Sequence, residues 1–205
     1  METTLHQQLK HCYADGSQNT EVVLGRYRID AVRDDELIEI QCASLSAIRD
    51  KSQNLLQRHR LRVVKPVVLR TRILKTAKKG GKVTSRRMSP KRGNILDLFE
   101  ELIYFTRVFP HPNLTLEVPM IHVEQLRGPA KKRRRRWQKN YSVHDVCLQS
   151  IEETFEFREP ADLLELIPWK RPPKTFNTAD IASAIDRSRC VAQQIAYVLR
   201  KTGAI

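Results

Sequence analysis

Asp30 and Glu39 are the residues of this sequence best placed to do chemistry together. They lie in Tyr-Arg-Ile-Asp-Ala-Val-Arg-Asp-Asp-Glu-Leu-Ile-Glu-Ile-Gln, residues 27–41, two short apolar runs joined by an acidic turn. Folded as a hairpin, these runs bring the two carboxylates within reach of one another, and converging carboxylates hold hard divalent cations such as magnesium. Side chains alternate along a strand, so Glu39 and Gln41 share one face while Ile38 and Ile40 turn the other way, into a core.

The elements that must position this pair are legible on either side. Leu5, Leu9 and Cys12 or Tyr13 recur at helical spacing over residues 3–14, and Asp15-Gly16 ends that helix. Strands are expected at 21–25, 27–33 and 36–42. A second helix is expected from Ser46 to His59, with Ser44 or Ser46 as its cap and Ile48, Leu55 and Leu56 as its apolar face. The strand expected over Leu61 to Leu69 is interrupted by Pro66, which donates no ladder bond and marks an edge or a bend. Further on, a helix is expected at Asn94 to Phe105, strands at 114–126 and 140–157, and a short helix from Pro160 to Ile167.

Charge narrows the partners. The 205 residues carry 37 Lys and Arg against 23 Asp and Glu, a net charge of +14, which favours polyanions and nucleic acid first. No acidic residue occurs from Lys51 to Ile95, and a second basic run, Lys131, Lys132, Arg133, Arg134, Arg135 and Arg136, precedes Trp137. Each reads as a phosphate-tracking surface or as a solvated, mobile arm. No stretch approaches the roughly 18 apolar residues of a membrane span, and the N-terminus lacks the regions of a signal peptide, so a cytoplasmic protein with no membrane partner is expected. The four cysteines are scattered without a Cys-x-x-Cys pair, and the six histidines include no His-x-x-x-His pair, which leaves a zinc site without ligands in sequence. No Walker loop or Gly-x-Gly-x-x-Gly is present.

The C-terminal segment reads as two helices. Asn177 or Thr178 caps the first, which ends near Ile185. A three-residue turn leads to the second, from about Ser188 to Lys201, with Gly203 as its stop. Ile181, Ile185, Val191, Ile195 and Val198 or Leu199 form the seam, leaving Arg187, Arg189, Gln193, Tyr197 and Arg200 facing outward as candidates to contact DNA from a major groove. A packing or dimerisation pair is the alternative reading, and a homodimer is compatible with either.

Glu21, Asp30 and Glu39-Ile40-Gln41, on consecutive expected strands flanked by helices, resemble the PD-(D/E)XK nuclease superfamily, the restriction endonuclease-like fold. The resemblance covers residues 1 to about 70 and implies an α-β-β-β-α-β core. It implies Asp30 and Glu39 as ligands of magnesium or manganese, with the Ile40 carbonyl beside them and Glu21 as an additional ligand. Gln41 stands where the superfamily has lysine, and an amide cannot supply a positive charge to a developing oxyanion. Lys51, beside the apolar stripe of the second helix, is the expected stand-in. The C-terminal pair resembles the winged-helix type, in which such a pair leads to a glycine and a hairpin. The combination is also similar to uncharacterised bacterial proteins.

These readings define three expected regions: a restriction endonuclease-like domain at 1–80, a basic linker and bridging region at 81–139, and a winged-helix-like domain at 140–205. The expected function is metal-dependent DNA cleavage, with Asp30, Glu39, Gln41 and Lys51 at the reacting centre and DNA ahead of RNA as partner. A non-catalytic DNA-binding regulator with a degenerate nuclease fold is the alternative.

Overall fold

The computed structural model describes residues 3–14, 16, 19–78, 80–130, 141–169 and 173–205. The basic run Lys131–Arg136 and Trp137 lie outside the described residues. The chain is mixed α/β, built on one large sheet with helices on both faces.

Helix α1 (Thr4–Tyr13) starts at Thr3, whose hydroxyl accepts the His6 N–H, and buries Leu5, Leu9 and Tyr13. Three short strands follow as an antiparallel meander, β1 (Thr20–Leu24), β2 (Tyr27–Arg33) and β3 (Glu36–Ile40). Asp34 and Asp35 both adopt left-handed backbone, φ 49° and 60°, as a two-residue hairpin turn requires, and aspartate tolerates that region better than most side chains. A 3-10 turn (Leu45–Ile48) capped by Ser44 leads into α2 (Arg49–Leu56), which carries the chain over one face to β4 (Arg60–Val64), parallel to β3.

After Pro66 the chain resumes as β5 (Val67–Thr76), so β4 and β5 lie one after the other along the same long strand, β7 (Leu114–Pro129), both parallel to it. Strand β6 (Val83–Met88) returns along β5, and β8 (Tyr141–Phe157) runs antiparallel along β7. The strand order is β1-β2-β3-β4-β7-β5-β6, with β8 also on β7. Helix α3 (Leu98–Leu102) follows a 3-10 turn that Asn94 caps. The chain closes with α4 (Pro160–Leu164), α5 (Thr178–Ile185) and α6 (Arg189–Thr202).

Two apolar layers result. Leu37, Leu61, Val63, Leu116 and Val118 face α2, α3, α5 and α6, while Ile38, Ile40, Val64, Ile121 and Val123 face Leu5, Leu9 and Tyr13 of α1.

Two expectations change. The acid-free stretch is not a mobile arm: Ile73 is buried against the sheet, and β5 and β6 pair as a hairpin. The α-helix expected at Asn94 to Phe105 is shorter, because its first turn is 3-10. Strand β8 pairs with β7 along most of its length, and α6 buries Ile195, Val198 and Leu199 in the layer that holds Leu61 and Leu116.

One buried guanidinium ties this architecture together. Arg62 on β4 donates through Nε to Glu36 of β3 at 2.8 Å and through Nη1 to Glu156 of β8 at 2.7 Å, and the same nitrogen meets Glu117 of β7. The hydroxyl of Tyr13 donates to Glu117 as well, which fastens α1 to the sheet. Burial, reinforced by the Glu117 hydrogen bond, pushes the Tyr13 phenol well above its ordinary value. Removing one partner of a buried ionic network leaves the others charged and desolvated. Arg62→Ala is therefore expected to cost about 3–5 kcal/mol in urea unfolding, with Tyr13→Phe costing far less.

Candidate metal and phosphodiester centre

The β2–β3 ladder runs from Arg33 opposite Glu36 to Ala31 opposite Ile38 and stops. Its next pair would be Asp30 and Glu39. Instead of strand pairing, the Asp30 carboxylate takes a backbone N–H of the other strand, with Oδ2 accepting from Ile40 N–H at 2.8 Å. The strand also turns over at this point. Ile29 packs in the α2 layer and Ala31 in the α1 layer, although residues two apart on a regular strand share a face. Across β1 the register brings Glu21 opposite Asp30, and Glu21 itself has left-handed backbone, φ 57°. Irregular backbone of this kind concentrates at functional sites.

Basic side chains close on the two carboxylates from opposite layers of the molecule. From α1, His6 Nε2 lies 3.2 Å from Asp30 Oδ2, and Lys10 Nζ lies 3.1 Å from Asp30 Oδ1 while also bonding Glu21. From α2, Lys51 Nζ lies 2.5 Å from Glu39 Oε1 and donates to the Arg28 carbonyl. Asp30, Glu39 and Lys51 therefore lie together where the ladder ends between the layers, and Gln41, expected beside the two acids, does not join them.

The two acids are driven apart in proton affinity. Burial raises the Asp30 pKa, but the His6 hydrogen bond, the Ile40 N–H and the His6 and Lys10 charges outweigh it and hold Asp30 below the ordinary aspartate value. The Glu39 side chain is only 6% exposed; its burial outweighs the Lys51 hydrogen bond and charge, so Glu39 sits above the ordinary glutamate value, with the Asp30 charge adding to the rise.

The other expected residues are disposed differently. The Gln41 side chain turns along its own loop, where Oε1 accepts from Ala43 N–H at 3.1 Å. That loop is pinned by Lys65, which donates to the Ala43 carbonyl and pairs with Glu101, and by Glu101, which accepts from Leu45 N–H. Lys10 and Arg28 take up Glu21, so an ammonium bridges it to Asp30. Among the described residues no three of His, Cys, Asp and Glu group as a metal cage. The groups that come together are two carboxylates with one imidazole and two ammonium groups against them.

Sequence reading missed His6 and Lys10; their four-residue spacing on α1, beside the Leu5–Leu9 stripe, was the available signal. Arg187, Arg189, Gln193, Tyr197 and Arg200 are exposed, as expected, along the turn and outer face of α5–α6. The four cysteines are free thiols. No helix among the described residues is long and apolar enough to cross a membrane.

Residues 3–158, from α1 through β8, match the family model described as a domain of unknown function, DUF8091. The chain belongs to this family. An uncharacterized protein of Treponema pallidum (strain Nichols) is similar to it, 30% identical over 182 residues, covering 88% of this chain and 71% of the relative. No solved structure matches the chain. The whole Asp30–Glu39 centre lies inside the DUF8091 match, whereas α4, α5 and α6 follow it.

A carboxylate whose pKa is lowered by folding stabilises the folded state above its unfolded pKa, and that contribution disappears as pH falls through the folded value. Asp30→Asn should therefore be less stable than the parent at pH 7. The gap should close as pH drops below about 4, the unperturbed aspartate range, which thermal melts of both proteins across pH 2–7 would measure.

Proposed function

We propose that this DUF8091 protein is a metal-dependent nuclease acting on DNA, with Asp30, Glu39 and Lys51 at its reacting centre. The observation that carries the reading is the Lys51–Glu39 contact of 2.5 Å. It supplies from α2 the cation that Gln41, just past the end of β3, does not supply. The element order supports a restriction endonuclease-like core: α1, an antiparallel meander, a helical crossover, and β4 parallel to β3, with both carboxylates where the meander splits.

In this reading Asp30 and Glu39, with the Ile40 carbonyl, would hold magnesium or manganese. The bound ion would polarise the scissile phosphate and lower the pKa of the attacking water. Lys51 stabilises negative charge developing on the phosphoryl oxygens, and its bond to the Arg28 carbonyl keeps the ammonium in position. His6 and Lys10 hold the Asp30 carboxylate in its ionised form. The basic strands hold the backbone, and the outer face of α6 reads or positions the duplex.

A specific observation favours a second reading, a non-catalytic DNA-binding regulator. Each acid already has a lysine partner, Lys10 or Lys51, and Gln41 is turned away along its loop. Incubation of duplex, single-stranded and branched DNA with magnesium or manganese at low salt separates the two. The nuclease reading expects cleavage that Asp30→Asn, Glu39→Gln and Lys51→Met each reduce by 100-fold or more while DNA binding persists. It also expects little gain from Gln41→Lys. Binding without cleavage of any substrate by the parent would put the regulator first.

The α6 assignment is tested separately. Replacing Arg189 and Gln193 with Ala should flatten preference among duplex sequences; unchanged binding to every duplex would make α5–α6 a packing unit.

A further inference from the structure

At the far end of the sheet, the β5–β6 and β7–β8 hairpins enclose a cleft of about 370 Å³ lined by Lys75, Arg87, Arg127, Gly128, Pro129 and Tyr141, among others. Its floor is largely apolar, and its rim carries three cations. Arg87 lies opposite Ile73 and Lys75 follows two residues along the same strand, so the two basic groups are diagonal neighbours. Both are exposed, and neither has a carboxylate partner among the described residues. Arg127 is held flat, with Nε donating to Gln125 at 2.6 Å and its guanidinium 4.0 Å from the centre of the Tyr141 ring. The described segments that build this end, 73–78, 80–86, 125–130 and 141–144, contain no Asp or Glu.

Cations clustered without counter-charge call for an anionic ligand, and a stacked arginine–tyrosine face above an apolar floor calls for a flat ring. A nucleotide unit joins both features. We propose that this cleft binds an unpaired nucleotide of a polynucleotide, its phosphate on Lys75 and Arg87 and its base on the Arg127–Tyr141 face. The cleft lies within the size range of small-ligand pockets, about 300–1,000 Å³, and stacking on aromatic and arginine faces is how single strands are held without sequence choice.

The placement deepens the nuclease reading and, for its distance argument, rests on it. Glu39 is level with Val63 and Leu116 across the sheet, eleven residues before Arg127 on β7. At about 3.3 Å per residue along β7 and about 4.8 Å for each of the two strand spacings between β3 and β7, the cleft is roughly 35–40 Å from the carboxylate pair, close to one turn of duplex. A substrate with an unpaired end or flap about ten base pairs from the cut would occupy both.

Fluorescence anisotropy in EDTA tests the cleft without any cleavage step, using a labelled six-nucleotide single strand and a blunt 20-base-pair duplex. Lys75→Ala with Arg87→Ala should weaken the single strand about tenfold or more and reduce the salt slope by roughly 0.7, the value for one neutralised phosphate. Tyr141→Leu should weaken the single strand about tenfold and the blunt duplex less than twofold, while Tyr141→Phe binds both as the parent does. Binding is read in EDTA and cleavage in magnesium, so loss of the cleft and loss of cleavage are distinguishable. The proposal is overturned if the basic double variant binds the single strand like the parent, or if Tyr141→Leu weakens both ligands equally. It is also overturned if adenosine monophosphate competes at the oligonucleotide's own concentration, which would indicate a site for free nucleotides.

Discussion

The candidate centre depends on one constraint, the early end of the β2–β3 ladder. Where two strands part, backbone N–H groups lose their partners, and buried donors left unpaired are costly. Here the loss is met by side chains. Asp30 accepts the Ile40 N–H, which draws its carboxylate into the opening, and Lys51 meets Glu39 beside it. The same opening makes the site a junction. On a continuous sheet His6 and Lys10 would stay on one side and Lys51 on the other, whereas here they surround neighbouring acids.

The rest of the fold holds that opening in place. Arg62 joins β3, β4, β7 and β8 within a few residues of the split, and Tyr13 reaches the same network from the end of α1, three residues beyond Lys10. The position of Lys10 beside Asp30 is thus inherited from a buried ionic cluster on the neighbouring strands. Lys65 and Glu101 do the corresponding work on the other side, fixing the loop that leads from β3 to α2 and so the approach of Lys51. The two acids respond oppositely because their surroundings differ: more donors reach Asp30, and burial dominates at Glu39.

Much of this was legible in the sequence, for physical reasons that also explain the failures. Alternation over residues 27–41 exposed the β2–β3 hairpin, Pro66 marked the break between β4 and β5, and Gly203 ended α6. Lys51 was readable from its place beside the α2 stripe. Strand β6 was not, because Arg86, Arg87 and Met88 are exposed on an edge and need no apolar alternation. His6 and Lys10 escaped because a helix's apolar stripe says which face is buried but not what the residues beside it will meet across the chain.

The most direct test of the central claim, that Asp30 and Glu39 form a divalent-cation centre, is manganese anomalous diffraction from crystals of the full chain. The account predicts a single strong peak between the two carboxylates, lost in Asp30→Asn, with the Lys51 ammonium still beside Glu39. Crystals equilibrated in millimolar manganese that show no peak there, with Lys10 and Lys51 still paired to the acids, would contradict it.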